Sequence, residues 1–336
     1  MKTKAIALIV FLVVSMYSVV AYADETVAAN ESTPAFQSLD RIETIVYGAP
    51  QGGGLLPRLN KVEKDIFGRE LPGSLTERQT AMLDFLEKGN ANQPSLLFKL
   101  AIAEWATTKE THPTWAMSKR VDTLESIIEG TVQGGAVAAR IERLITKVLP
   151  DGVKASEVNV PISTIVKSAL SRTLSVKNVK VDDKIILNLI EEVIVDGTLI
   201  APKGSRVWAH ITKVKPPRSF GRSSEIVMAF DMLEVVTPDK LSVTMGETSK
   251  KAMEADAAMY GAAGASFAGA ILLGPVGLAS GFLIRGSDKQ LKEGTVFYVE
   301  TVEDSMIRGY KIPPQISSLV QSDDVTAPQG TTPVNP

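Results

Sequence analysis

A short pattern that recurs in the N-terminal half of this 336-residue chain constrains its fold more than any other feature. In each copy, apolar residues stand at the first, fourth and eighth positions, a glutamate follows the second of them, and a glycine ends the copy. The copies run from Leu39 to Gly48, from Leu59 to Gly68 and from Val121 to Gly130, with a degenerate fourth at 139–149. Residues at this spacing share one face of a helix, and glycine readily adopts the left-handed conformation that ends one. The pattern therefore predicts short helices, which are stable only when they pack together or against a partner.

Another amphipathic helix is predicted at 95–105, between breaks at 90–94 and 109–113. We therefore expect a helical repeat module at 35–149. Two roles are open for it: docking another component of the envelope or the cell wall, or acting as a self-contained bundle or spacer. His112 lies in the second break with no other metal ligand nearby, so we predict that it is a surface residue.

The first 23 residues have the three parts of a secretory signal peptide. Lys2 and Lys4 supply positive charge, 6–20 is apolar, and 21–23 is a small-x-small cleavage site. A retained anchor helix is the alternative, although the apolar run is short. We predict export to the periplasm or outer membrane of a Gram-negative-type envelope, with a linker at 24–34. The chain has no cysteine, which excludes disulfides and an acylated N-terminal cysteine.

From about residue 150 the pattern changes to short segments rich in Ile, Leu and Val, separated by turns with Pro and Gly. This alternation is typical of a barrel or a sandwich. The predicted strands are 184–195, 198–201, 206–214, 224–236 and 241–245. On the fourth of these strands, one face is expected to carry Ile226, Met228, Phe230 and Met232.

Two segments of the β region correspond to each other. Residues 203–208 and 293–298 each place a glycine and a hydroxyl residue at a turn, and then begin a strand with an aromatic residue at the same position. The β domain is therefore predicted to resume at 293 and to span 150–311. A disordered tail is expected at 312–336, where apolar residues are few.

An apolar insert at 257–284 separates these two segments, and its 28 residues include no charged side chain. Its glycines and its single proline are Gly261, Gly264, Gly269, Gly274, Pro275, Gly277 and Gly281. The central Gly-Pro step breaks a helix, so we predict a helical hairpin. Small residues at near-helical spacing allow close helix packing in a membrane, whereas glycine weakens a helix exposed to water. We expect insertion into a membrane or association between copies; the alternative is a hairpin packed on its own barrel.

A basic hairpin lies between 197 and 224, a segment with six basic side chains and no acidic one. These side chains are Lys203, Arg206, Lys213, Lys215, Arg218 and Arg222. In an envelope they would bind lipopolysaccharide phosphates or peptidoglycan carboxylates. The alternative is a solvated hairpin whose lysines prevent aggregation. His210 alternates with apolar residues and is predicted to belong to the barrel wall.

The order of these motifs resembles that of a known family. The segment Leu199-Ile200-Ala201-Pro202-Lys203-Gly204-Ser205 is followed by the basic hairpin, more strands and the apolar insert; Glu293-Gly294-Thr295 then opens a closing strand that leads to Asp304. Residues 150–311 resemble the C-terminal β-barrel of the channel-forming subunit of type IV, conjugation-type, secretion systems. The resemblance implies a helical projection that crosses the outer membrane. That family has a transmembrane anchor and a proline-rich stalk before the barrel, where this chain has a predicted signal peptide and helical repeats. A scaffolding barrel is therefore expected here, without energy coupling from the inner membrane.

No motif for catalysis is present: the chain lacks G-x-S-x-G, H-E-x-x-H, Walker and calcium-loop patterns, and it has only two histidines. A formal net charge of −2 gives no field that would attract nucleic acid. We therefore expect a non-enzymatic protein without metal, cofactor or nucleic acid.

The predicted fold class is α+β: a short-helix repeat module, then a β-barrel or sandwich-like domain with a glycine-rich helical hairpin insert. The predicted function is that of an envelope scaffold, a homo-oligomer or a partner of another envelope protein, in contact with the outer membrane or peptidoglycan. The alternative is a soluble periplasmic module that binds a glycan or lipid. A hydrolase with an unrecognised site is the third hypothesis.

Overall fold

The computed structural model describes residues 34–90, 93–215, 225–260 and 290–314. The predicted signal peptide, every glycine and the proline of the insert, Arg218, Arg222 and the tail beyond 314 lie outside these residues. Within the described ranges, no helix is both long enough and apolar enough to cross a bilayer.

The N-terminal half of the described chain is helical. Its helices are α1 (Pro34–Tyr47), α2 (Leu55–Phe67), α3 (Leu75–Leu83), which continues into a π-helical turn (Asp84–Lys88), α4 (Leu96–Thr108), α5 (Met117–Glu129) and α6 (Val137–Val148). Three of them end as the repeat pattern predicts, because Gly48, Gly68 and Gly130 have φ of 90°, 75° and 78°. The repeat pattern does not predict α3. Its start carries a different signal, a capping box between Ser74 and Glu77.

A buried ion pair joins consecutive helices. The carboxylate of Glu43 in α1 accepts hydrogen bonds from Arg58 Nε and Nη2 in α2, at 3.1 and 2.6 Å, and from the backbone N–H of Gln51 in the loop between them, at 2.7 Å. The same arrangement recurs in the pairs Glu63–Arg78, Glu104–Arg120 and Glu125–Arg140. Because burial removes the solvation of a charge, each carboxylate depends on these donors.

The pairs divide the helices into two units, α1–α3 and α4–α6. In each unit the first helix supplies a glutamate, the middle helix both an arginine and a glutamate, and the last helix an arginine. The recurring sequence pattern is therefore part of a duplicated three-helix unit. Burial raises the pKa of Glu125, but the hydrogen bonds from Arg140 and from the Gln133 N–H outweigh it, so the pKa lies below its usual value.

The rest of the described chain consists mainly of strands, and their order confirms the predicted α+β class. The strands are β1 (Ala155–Val160), β2 (Ile165–Leu170), β3 (Leu174–Ser175), β4 (Lys184–Leu189), β5 (Val193–Val195), β6 (Thr198–Ala201), β7 (Arg206–Lys215), β8 (Glu225–Glu234), β9 (Lys240–Thr244), β10 (Gln290–Leu291), β11 (Val296–Thr301) and β12 (Ser305–Lys311). Six of them close a barrel in the order β11-β2-β4-β7-β8-β9. Four others form a sheet in the order β1-β12-β6-β5, and β10 pairs with β3.

The four-stranded sheet lies between two hydrophobic cores. Leu199 and Tyr310 belong to the core of the helices, whereas Ile200 and Ile307, on the same two strands, belong to the core of the barrel. Successive residues of a strand point to opposite faces, so a strand with both faces apolar must be covered on both sides. The sheet therefore joins the helical module to the barrel.

The two corresponding turns have the same geometry. Gly204 and Gly294 both have positive φ, 89° and 80°, and their N–H groups donate to the last residues of β4 and β2, Leu189 and Leu170, at 2.7 and 2.8 Å. The β7 and β11 strands then leave these turns and pair with β4 and β2. The sequence correspondence therefore marks two equivalent corners of the barrel.

One face assignment in β8 is wrong. Ile226, Met228 and Phe230 are buried, as predicted, but Met232 is only half-buried, and Leu233 is fully buried in its place. The cause is a β-bulge: Trp208 pairs with Met232 and Ala209 with Phe230, which leaves Asp231 without an opposite residue in β7. An extra residue in one strand reverses the inward and outward positions beyond it.

Candidate functional site

The predicted insert begins from a stem helix, α7 (Glu247–Tyr260), which starts ten residues before the charge-free segment. The last barrel strand before the insert, β9, and the first barrel strand after it, β11, are neighbours, since Val243 of β9 pairs with Thr301 of β11. The chain segment that connects β9 to β11 is therefore an addition to a barrel that closes without it. The last four residues of α7, 257–260, are also the first four of the predicted charge-free segment, and the charged side chains of α7 all precede that segment.

The barrel holds the first turn of α7 through Glu300. In this first anchor, the buried carboxylate of Glu300 on β11 accepts a hydrogen bond from the backbone N–H of Ser249. Unpaired N–H groups and the helix dipole make the N-terminus of a helix a favourable place for a carboxylate. A Cβ at Gly246 would overlap the Glu300 carboxylate, so a side chain there would displace this carboxylate from the start of α7.

A second anchor holds the last described turn of α7. Asp256 accepts a hydrogen bond from the hydroxyl of Tyr298 and lies 3.0 Å from Lys167 Nζ, which also lies 2.7 Å from Glu191. Burial and the hydrogen bond to Asp256 raise the pKa of Tyr298 to about 12. The hydrogen bond from Tyr298 lowers the pKa of Asp256 and outweighs its burial, so Asp256 is charged at neutral pH. The two anchors fix the direction in which the chain leaves the barrel towards the insert.

Two of the four described basic residues of the hairpin form ion pairs within the structure. Lys203 is paired with Glu110 of the helical module, and Arg206 Nε lies 2.6 Å from Glu234 on β8. Lys213 and Lys215 lie near the end of β7. Lys203 and Arg206 therefore make structural contacts. Anion binding by the basic hairpin stays a prediction.

An open cleft of about 800 Å³ separates the helical module from the outer face of β7 and β8. Its barrel wall carries Arg206, Trp208 and His210, which alternate with the inward-facing residues of β7. Its helical wall includes Arg41 and Glu87, which form an ion pair at 2.8 Å. No local sequence pattern indicates this cleft, because Glu87 on its helical wall and Arg206 on its barrel wall are more than a hundred residues apart in the chain.

The two histidines have different surroundings. His210 lies on the outer face of the barrel wall, with Nδ1 2.9 Å from Asp231 Oδ1. His112 is partly exposed and stacks on Trp115 at 4.1 Å between ring centroids. Among the residues that the structure describes, no group of three or more His, Cys, Asp or Glu side chains could hold a metal ion.

The chain has a low similarity to a known structure and no match among protein families or curated proteins. No protein-family model matches the sequence, and no curated protein matches it either. Among solved structures, the chain is similar to ComB10 of the Com type IV secretion system of Helicobacter pylori, with 11% sequence identity and a TM-score of 0.22. The alignment covers 45% of this chain and 96% of that chain.

Proposed function

We propose that this chain is an exported, non-enzymatic scaffold protein of a Gram-negative-type envelope, and that its insert at 257–284 attaches it to the outer membrane or to other copies. The observation that carries the proposal is the double anchorage of α7 on the barrel, through Glu300 at its first turn and Asp256 at its last described turn. A stem fixed at both ends transmits force from an attached insert to the barrel. The composition of the insert supports a lipid or helix environment, because so many glycines weaken a helix in water.

The rest of the fold fits a scaffold. The buried ion pairs order the helices, and the four-stranded sheet joins them to the barrel. A helical module and a barrel that share a sheet, with an apolar attachment segment, suit a structural role in an assembly. The absence of catalytic motifs from the sequence supports the non-enzymatic part of the proposal.

Envelope fractionation of the native host, with a sodium carbonate wash of its membranes, tests the attachment. The full chain should remain in washed outer membranes, or should run as an oligomer after cross-linking. A variant without 257–284 should move to the soluble periplasm as a monomer. The matched control replaces 257–284 with a Gly-Ser linker of equal length, which keeps the chain connection but removes the apolar side chains, and it should behave like the deletion.

A full chain that is soluble in the periplasm and monomeric would overturn the scaffold proposal. That result would favour the alternative, a soluble module that binds a glycan or lipid. Cleavage of peptidoglycan fragments by the purified protein would contradict the non-enzymatic part and revive the hydrolase hypothesis.

A further inference from the structure

The cleft between the helical module and the barrel presents a prearranged row of side chains on β7. Arg206, Trp208 and His210 stand at alternate positions, and such positions lie about 6.6 Å apart along a strand. Carboxylates of β8 hold all three in place. Glu234 accepts from Arg206 Nε at 2.6 Å and from Trp208 Nε1 at 2.5 Å, and Asp231 lies 2.9 Å from His210 Nδ1.

The bulge in β8 contributes to this arrangement. It gives Asp231 a position outside the regular pairing of β7 and β8, and the carboxylate of this exposed residue meets His210 at the cleft. A bulge that re-aims a side chain is common beside binding sites. Trp208 is half-buried, with the Arg206 guanidinium 5.5 Å from its ring centroid, which fixes the plane of the indole.

The charges of the cleft limit the kind of ligand. Six basic and five acidic side chains line it, so their formal charges nearly cancel. A strongly charged ligand would have to compete with existing ion pairs such as Arg41–Glu87 and Arg206–Glu234. A purely apolar ligand would bury these charges without new hydrogen bonds, which is costly.

A neutral ligand rich in hydroxyl groups avoids both penalties. Carboxylate oxygens that already accept one hydrogen bond can accept further ones from hydroxyls, and guanidinium groups can donate to sugar oxygens. The indole offers a flat apolar surface to the C–H face of a sugar ring. A volume of about 800 Å³ falls within the range of sites that enclose small ligands, and its openness to solvent suits a segment of a longer chain.

We propose that this cleft binds a segment of an uncharged glycan, with Trp208 as the stacking residue and Asp231, Glu234 and Glu87 as acceptors for its hydroxyl groups. This site is independent of the insert. The proposal also differs from anion binding by the basic hairpin, because it assigns recognition to hydroxyl groups and an aromatic face.

Isothermal titration of the full chain with chitotetraose, the tetramer of N-acetylglucosamine, and with maltotetraose tests the proposal. At least one of them should bind with a Kd in the range of roughly 1 mM or tighter. Trp208→Ala should weaken binding about tenfold through the loss of stacking. The matched control is Trp115→Ala, which removes another partly exposed tryptophan that is not part of the cleft wall and should leave binding unchanged.

A second variant keeps the test valid if Trp208→Ala disturbs the barrel. Glu87→Gln alters the helical wall at a surface ion pair, so it should preserve the melting temperature while it weakens binding several-fold. Binding should also change little between low and high salt, because the ligand is uncharged. The proposal is overturned if neither sugar binds at about 10 mM, or if both Trp208→Ala and Glu87→Gln bind as tightly as the parent chain.

Discussion

At the scale of single residues, the stability of the helical module depends on a glutamate and an arginine that are fifteen or sixteen positions apart in sequence. The glutamate ends up fully or almost fully buried, as Glu63 and Glu125 show, and it is the acceptor for both the next helix and the intervening loop. A single side chain therefore sets the distance between two helices and the path of the loop. Loss of one partner leaves the other charge buried and uncompensated.

Glu63→Gln is accordingly expected to lower the free energy of unfolding by about 3 kcal/mol, because Arg78 would lose its charged partner in a buried site. The control is Glu70→Gln, which removes an exposed carboxylate paired with Lys64 and should leave stability nearly unchanged. Urea unfolding followed by circular dichroism measures both variants. Equal midpoints for the two would show that the buried pair does not stabilise the module.

The sequence predicts part of this arrangement. The apolar spacing and the terminal glycines predict α1, α2 and α5, and the degenerate copy at 139–149 indicates α6, because these signals are local. The ion pairs are also present in the sequence as the recurrence of an arginine fifteen positions after Glu43, Glu63 and Glu125, although the apolar pattern does not reveal them. Glu104 is harder to find, because α4 lacks the repeat pattern. Only its hydrogen bonds with Arg120 in the structure show that it corresponds to the other three glutamates.

At the scale of elements, the two corresponding turns differ in one respect. Gly294 has open space around the position of a Cβ, whereas a Cβ at Gly204 would overlap the carbonyl oxygen of Thr111 in the helical module. Thr111 N–H also donates to the carbonyl of Lys203 at 2.8 Å. The barrel corner at Gly294 therefore has no close neighbour at this position, whereas the equivalent corner at Gly204 contacts the helical module.

Gly204→Ala and Gly294→Ala separate backbone strain from this contact. Both place alanine at positive φ, which costs about 1 kcal/mol. Only Gly204→Ala also forces the turn away from Thr111, so its loss of stability should exceed that of Gly294→Ala by roughly 2 kcal/mol. Chemical denaturation of both variants gives the difference. A difference near zero would mean that the contact at Thr111 adjusts without cost.

Local sequence patterns predict some features of the elements and miss those that depend on contacts between distant segments. The equivalent corners were predicted because each is a compact turn with its own glycine. The bulge at Asp231, the anchorage of α7 and the cleft depend on pairing between distant segments, which no local pattern encodes. These long-range features carry both functional proposals.

At the scale of the whole molecule, the four-stranded sheet makes the two halves of the described chain interdependent. Tyr310 of β12 is buried in the helical core, edge-on to Trp105 of α4 at 6.1 Å between ring centroids. Trp105 Nε1 in turn donates to Glu192, which lies between β4 and β5, at 2.5 Å. Burial raises the pKa of Tyr310 to about 12, so its ring is neutral at all physiological pH values.

Tyr310→Ala should therefore destabilise the helices and the barrel together, by about 4 kcal/mol, because it opens a cavity where the two halves meet. Tyr310→Phe is the control. The hydroxyl has no hydrogen-bond partner among the described residues, so its removal should change stability by less than about 1 kcal/mol. Hydrogen exchange followed by mass spectrometry reads α4 and β4 separately in each variant. If Tyr310→Ala accelerates exchange in α4 and leaves β4 unchanged, the helices and the barrel unfold independently, and the sheet does not couple the cleft walls into one rigid body.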